Sequence, residues 1–139
     1  LTDRPAAVSV EAMADPLILV AHGSPDPDWR RPLEALQARL AELAPDRPAR
    51  VAYMDFLEPS VADVARELQA AGHTRAVVIA AFLSPGGRHI KRDIPELVRQ
   101  VNADVDGIEL RLVPGALGED EAVVGALADA ALRFANSSE

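Results

Sequence analysis

Four short aliphatic runs alternate with four segments whose apolar residues recur at helical spacing. The runs are Leu17–Ala21, Arg50–Phe56, Ala76–Leu83 and Ile108–Val113. Three are nearly continuous in apolar character, as strands buried on both faces of a parallel sheet require. The intervening segments carry one stripe each: Leu33, Leu36, Leu40 and Leu43; then Val61, Val64, Ala65, Leu68 and Ala71; then Ile94, Leu97, Val98 and Val101. A fourth stripe, Val123, Val124, Leu127, Ala131 and Leu132, follows the last run. Apolar residues every three or four positions predict amphipathic helices.

Boundary signals agree with that division. Ala44-Pro45-Asp46-Arg47-Pro48 interrupts the chain after the first helical stripe. Glu58-Pro59-Ser60 opens the second with Pro near its first turn, and Ala71-Gly72-His73 closes it with a glycine. The β-α alternation, four times over, predicts right-handed crossovers and a four-stranded parallel sheet with helices on both faces. We expect a single flavodoxin-like α/β domain over residues 16–135, strand order 2-1-3-4, preceded by a mobile tail over residues 1–15.

Composition narrows the function classes. Aromatic residues are 4% of the chain, so the core is aliphatic. A formal net charge of -8 argues against a nucleic-acid partner, which needs a clustered basic surface. The chain has no cysteine, which removes disulfides, thiolate metal sites and thiol nucleophiles. No apolar run approaches the roughly 20 residues that span a bilayer. Residues 1–15 lack the basic and then apolar plan of a signal peptide. No membrane association and a cytoplasmic location are the expectation.

Two of the three histidines interrupt the pattern where chemistry would sit. His22 ends the first apolar run in Ala21-His22-Gly23-Ser24-Pro25, and His89 follows the third in Ser84-Pro85-Gly86-Gly87-Arg88-His89. In order 2-1-3-4 the topological switch lies between strands 1 and 3, where open α/β sheets bind ligands outside the carboxyl ends of the strands. Both histidines would then meet at one crevice, as metal ligands or proton acceptors. The blander reading makes His22 a turn residue and His89 an incidental loop residue. Asp55 is an acidic residue within an apolar run, costly to bury without a role. Arg88, Lys91 and Arg92 gather positive charge beside His89, where ligand carboxylates could pair with them. Otherwise they are a solvated helix start. Ser24 shapes or caps its turn and lacks the Gly-x-Ser-x-Gly context of a nucleophile. His73, in a polar helix-to-strand turn, reads as ordinary surface.

Three motifs in order carry a family resemblance: Ala21-His22-Gly23-Ser24, then Asp55-Phe56-Leu57-Glu58-Pro59-Ser60, then His89-Ile90-Lys91-Arg92-Asp93-Ile94-Pro95. The chain resembles the small class II chelatases of the CbiX type, the sirohydrochlorin cobaltochelatases and ferrochelatases, from about Leu17 to about Leu132. That family shows His-Gly-Ser after strand 1, Phe-Leu-Glu-x-x-Glu-Pro near strand 2, and His-x-x-x-Asp-Ile-Pro after strand 3.

The resemblance implies insertion of a divalent metal, Co²⁺, Fe²⁺ or Ni²⁺, into a modified tetrapyrrole without ATP. The metal is then a substrate, and no tightly bound cofactor is implied. His22 and His89 would hold the metal and accept pyrrole protons. Asp55 would assist where the family usually has Glu, its shorter arm moving the carboxylate by about 1–1.5 Å; Glu58 is the substitute. Ser24, Gly86, Gly87, Arg88, Lys91 and Arg92 would contact the anionic pigment, with Arg30 or Arg31 in reserve and Trp29 and Phe82 as stacking walls. Arg88 is an apparent extra residue before His89. Small members resemble half of two-lobed chelatases, which implies a homodimer that completes the cleft. The competing readings are a non-catalytic metal or tetrapyrrole carrier, and a phosphate-ligand site at Gly86-Gly87 and the helix start after it.

Overall fold

The aliphatic runs become strands and the stripes become helices. A computed structural model describes residues 14–54, 57–84 and 88–137, without the side chains of residues 88–90. Strands β1 (Leu17–Ala21), β2 (Ala49–Tyr53), β3 (Arg75–Ala80) and β4 (Glu109–Ala116) alternate with helices α1 (Arg31–Leu43), α2 (Val61–Ala70), α3 (Arg88–Asp104) and α4 (Glu121–Ala135). Short 3-10 turns at Pro27–Arg30 and Leu117–Glu119 lead into α1 and α4. The sheet is wholly parallel in the order β2-β1-β3-β4, with Leu19 beside Val51 on one side and Ile79 on the other. This is the expected α/β architecture and strand order. The proposed tail, residues 1–15, lies almost entirely outside the described residues.

Period-two alternation divides the apolar residues between two faces. Ile18, Val20, Val78 and Ala80 point toward α2 and α3 and pack with Val64, Leu68, Ile94 and Val98. Leu19, Ala21, Val51 and Tyr53 point the other way, against Leu33, Leu36 and Leu40 of α1. Each fully buried Val, Leu or Ile side chain contributes about 1.5–3 kcal/mol relative to an exposed one.

Both edge strands are tied to a helix by a side-chain amide. Gln37 of α1 accepts from the Val51 N–H of β2 at 2.9 Å. Asn102 of α3 accepts from the Leu110 N–H of β4 at 2.7 Å and donates to the Leu110 carbonyl at 3.0 Å. Occupied edge groups cannot template pairing with another chain.

Three boundaries and one burial differ from expectation. β2 stops at Tyr53; Asp55 and Phe56, the predicted end of that run, lie outside the described residues. β3 stops at Ala80, not Leu83, because the Ala81 N–H takes the Val20 carbonyl and β1 ends one residue later. β4 continues to Ala116 through Pro114 and Gly115, residues that an edge strand tolerates. His73 is buried, at 8% exposure, rather than ordinary surface. The cause is the way α2 ends. Gly72 adopts φ 101°, its N–H reaches the Gln69 carbonyl, and the His73 N–H reaches that of Leu68. That pair of bonds is a Schellman closure, which folds the residue after the glycine back onto the helix. No helix among the described residues is long and apolar enough to cross a membrane.

Candidate active site

The carboxyl ends of β1 and β3 are neighbours, so the segments leaving them share one end of the sheet. His22 is the first residue past β1 and is exposed. Gly23 follows at φ 91°, a conformation that a side-chain-bearing residue rarely adopts. The turn continues through Ser24, whose Oγ accepts from the Asp26 N–H at 3.1 Å. Asp26 then caps the 3-10 turn, its Oδ1 accepting from the Asp28 N–H at 2.9 Å. Ser24 is thus a turn residue here, as its sequence context suggested.

Phe82 leaves β3 beside this turn and meets the His22 ring edge-on, with centroids 4.9 Å apart and planes at 61°. The contact leaves Phe82 partly buried against the α2–α3 core. Its role is to wall and orient the imidazole, and the same ring could still flank a flat ligand. Trp29, the other proposed wall, is half exposed in the 3-10 turn.

His89 lies in the first turn of α3, after Arg88. Its backbone is therefore placed after β3, the strand adjacent to the one that His22 follows. The side chains of Arg88 and His89, and all of Asp55, Gly86 and Gly87, lie outside the described residues. Among the described residues no three His, Asp or Glu side chains converge on one point; of the three proposed ligands, only His22 has a described side chain.

Lys91 and Arg92 are exposed on the first turns of α3. Lys91 lines a cleft of about 510 Å³ between the start of α3 and the end of β4. Its walls are largely apolar: Ala80, Ile94, Pro95, Leu112, Val113 and Pro114, with Gly115 and Glu119 at the β4 end. That size and character suit a small-molecule ligand, and the cleft opens at the carboxyl side of the sheet. Pro95 stands inside α3 and has no N–H, so the Lys91 carbonyl loses its helical donor. Sequence reasoning missed the β4 wall because Leu112 and Val113 read as strand core. Pro114-Gly115, closing an apolar run, was the available signal.

A second, smaller cavity of about 200 Å³ lies on the α1 side, lined by Arg30, Glu34, Gln37, Arg50, Tyr53 and Glu58 among others. The Arg30 guanidinium sits over the Tyr53 ring, 5.9 Å from its centroid. Burial pushes the Tyr53 hydroxyl above its ordinary pKa of 10.0; Arg30 opposes the shift and Glu34 adds to it. Glu58 is exposed here, on the α1 side of β2. Arg31 is held by Asp28 at 2.9 Å, which leaves Arg30 the better placed of the two reserve cations.

Known proteins share this arrangement. The CbiX family model matches residues 16–133. A sirohydrochlorin cobaltochelatase of Methanopyrus kandleri is 32% identical over 82 residues, 59% of this chain and 57% of that protein. A chloroplastic sirohydrochlorin ferrochelatase of Arabidopsis thaliana is 33% identical over 105 residues, 76% of this chain and 46% of that protein. The match thus spans about half the length of these curated relatives. A crystal structure described as a putative cobalamin biosynthesis CbiX protein, from Marinobacter aquaeolei, superposes with a TM-score of 0.77 at 28% identity. It covers 87% of this chain and 97% of its own.

Proposed function

The chain belongs to the CbiX family, and from that premise we propose that it inserts a divalent metal, Co²⁺, Fe²⁺ or Ni²⁺, into sirohydrochlorin or a related anionic tetrapyrrole without ATP. The observation that carries this reading is His22: an exposed imidazole at the carboxyl end of β1, beside the strand whose following helix begins Arg88-His89. Relatives over this same stretch are named for chelation of sirohydrochlorin with cobalt in one case and iron in another. Imidazole suits all three metals, so the ligand type does not choose between them.

The chemistry asks for little else. One dication enters the macrocycle as two pyrrole N–H protons leave, so the pigment's net charge is unchanged. Neutral imidazoles can deliver the metal and accept those protons. His22 and His89 take these roles in our reading, with Asp55 as the carboxylate partner and Glu58 as its substitute. The ligands must hold the metal loosely enough to release it, unlike the closed ligand set of a structural zinc site. Phe82 braces the His22 ring from its edge, and Lys91 and Arg92 offer ammonium and guanidinium groups to the pigment's carboxylates. The apolar cleft beside Lys91 would take part of the macrocycle face. Two copies of the chain would complete the cleft, since one copy corresponds to about half of the curated relatives it matches.

The test is an anaerobic absorbance assay with sirohydrochlorin and each metal in turn, against a control without protein. Metallation faster than the spontaneous rate is expected with at least one metal. Pigment binding without turnover would replace this reading with the carrier, and neither binding nor turnover would remove the pigment altogether.

A further inference from the structure

Coverage of the two sheet faces is unequal. Strands lie about 4.8 Å apart and a helix with its side chains is about 10–12 Å across, so four strands need two helices on each face. One face has α2 and α3, and sixteen residues are buried there. The other has α1, and only four are buried, which leaves that face underfilled. No residue of α1 is itself buried, and Ile79 and Ala81 of the β3 side remain partly covered.

The missing second helix has an obvious candidate in α4, yet α4 buries no residue either. Its stripe is intact: Val123, Val124, Leu127, Ala130, Ala131 and Phe134 recur at helical spacing. Val124 is 52% exposed, Leu127 47% and Phe134 79%. A helix of this length is marginal in water without tertiary packing. Its starting point is also held firmly. The Gly118 N–H donates to the Phe82 carbonyl at 2.8 Å, a Cβ at Gly118 would lie 1.9 Å from the Leu83 carbonyl oxygen, and Asp120 caps α4.

We propose that two copies of the chain exchange α4, each helix lying beside α1 of the other copy on the underfilled face. One helix without a sheet and one half-face without a helix occur in every copy, and a two-fold exchange satisfies both at once. Four contacting faces of roughly 400 Å² each would bury about 1,600 Å², the size of a standard specific interface. The exchange deepens the two-copy arrangement proposed above and rests on it, not on the metal chemistry.

The test uses the full chain. Sedimentation equilibrium should give a dimer, and Leu127→Asp should give a monomer with unchanged circular dichroism in the strand and helix bands. The absence of native cysteine permits a location test. Ile79→Cys and Leu127→Cys, made on separate chains of different tag length and mixed, should join through a short bis-maleimide into a product of mixed mass. A monomer at all concentrations would overturn both the exchange and the two-copy arrangement. A dimer that survives Leu127→Asp, or one in which Leu127→Cys joins only to itself, would overturn the exchange alone. So would intrachain joining in the Ile79→Cys/Leu127→Cys double variant with no mixed product between chains.

Discussion

Ser60 and Asp63 secure the start of α2 through two reciprocal bonds: the Ser60 Oγ accepts from the Asp63 N–H at 3.1 Å, and the Asp63 carboxylate accepts from the Ser60 N–H at 3.1 Å. The bonds from the Ser60 backbone and hydroxyl lower the Asp63 pKa from its ordinary 3.8, with a minor opposing effect of burial and a small assist from Arg66. The folded state therefore favours the charged form. Its contribution is present above the ordinary carboxylate pKa and is lost as pH falls through the lowered value. Ser60→Ala should cost about 1 kcal/mol in urea unfolding at neutral pH. The gap between wild type and Asp63→Asn should narrow as pH drops below the carboxylate range; a constant gap would contradict the assignment. Tyr53 has the opposite sign. Burial favours its neutral phenol, so its contribution is lost as pH rises past the ordinary tyrosine value, and Tyr53→Phe should flatten the alkaline limb of the stability curve. At this scale His22 was legible because an apolar run stops at His-Gly. The burial of His73 was not, because it depends on how Gly72 folds the chain back over α2.

Helices and strands were legible where periodicity was strong, and their ends were not. β1 was read to the residue, whereas β3 lost three residues and β4 gained three. A strand ends where its partner ends, and that information lies elsewhere in the chain. The amides that close the two sheet edges were equally invisible, since Gln37 and Asn102 read as polar helix positions. Asn102→Ala removes both bonds to Leu110 and should cost about 1–3 kcal/mol. Faster hydrogen exchange at the Leu110 amide, with the α2 amides unaffected, is the local readout. Gly118→Ala should be worse than its size suggests. The new methyl group would meet the Leu83 backbone, and fixed backbone cannot rotate away as a side chain can. We expect a loss of more than about 2 kcal/mol, read as a lower urea midpoint; an unchanged midpoint would mean that the turn before α4 is not held against the exit of β3.

Strand order is where sequence and structure agree most closely across the whole molecule. Alternating β and α elements leave few topologies once crossovers are right-handed, and β2-β1-β3-β4 brings the exits of β1 and β3 together. That adjacency turns two scattered histidines into one candidate site. The 510 Å³ cleft was not legible, because its walls come from α3 and β4, far apart in sequence. Nor was the exposure of α4, whose stripe reads as an ordinary core-facing helix. The central claim is that the His22 imidazole handles the incoming metal and the departing protons. The most direct measurement compares the initial rate of anaerobic sirohydrochlorin metallation by wild type and by His22→Ala, with circular dichroism confirming the fold of each. His22 is exposed, so its truncation should leave the fold intact while the rate falls to that of the control without protein. A folded variant that retains the wild-type rate would contradict the account.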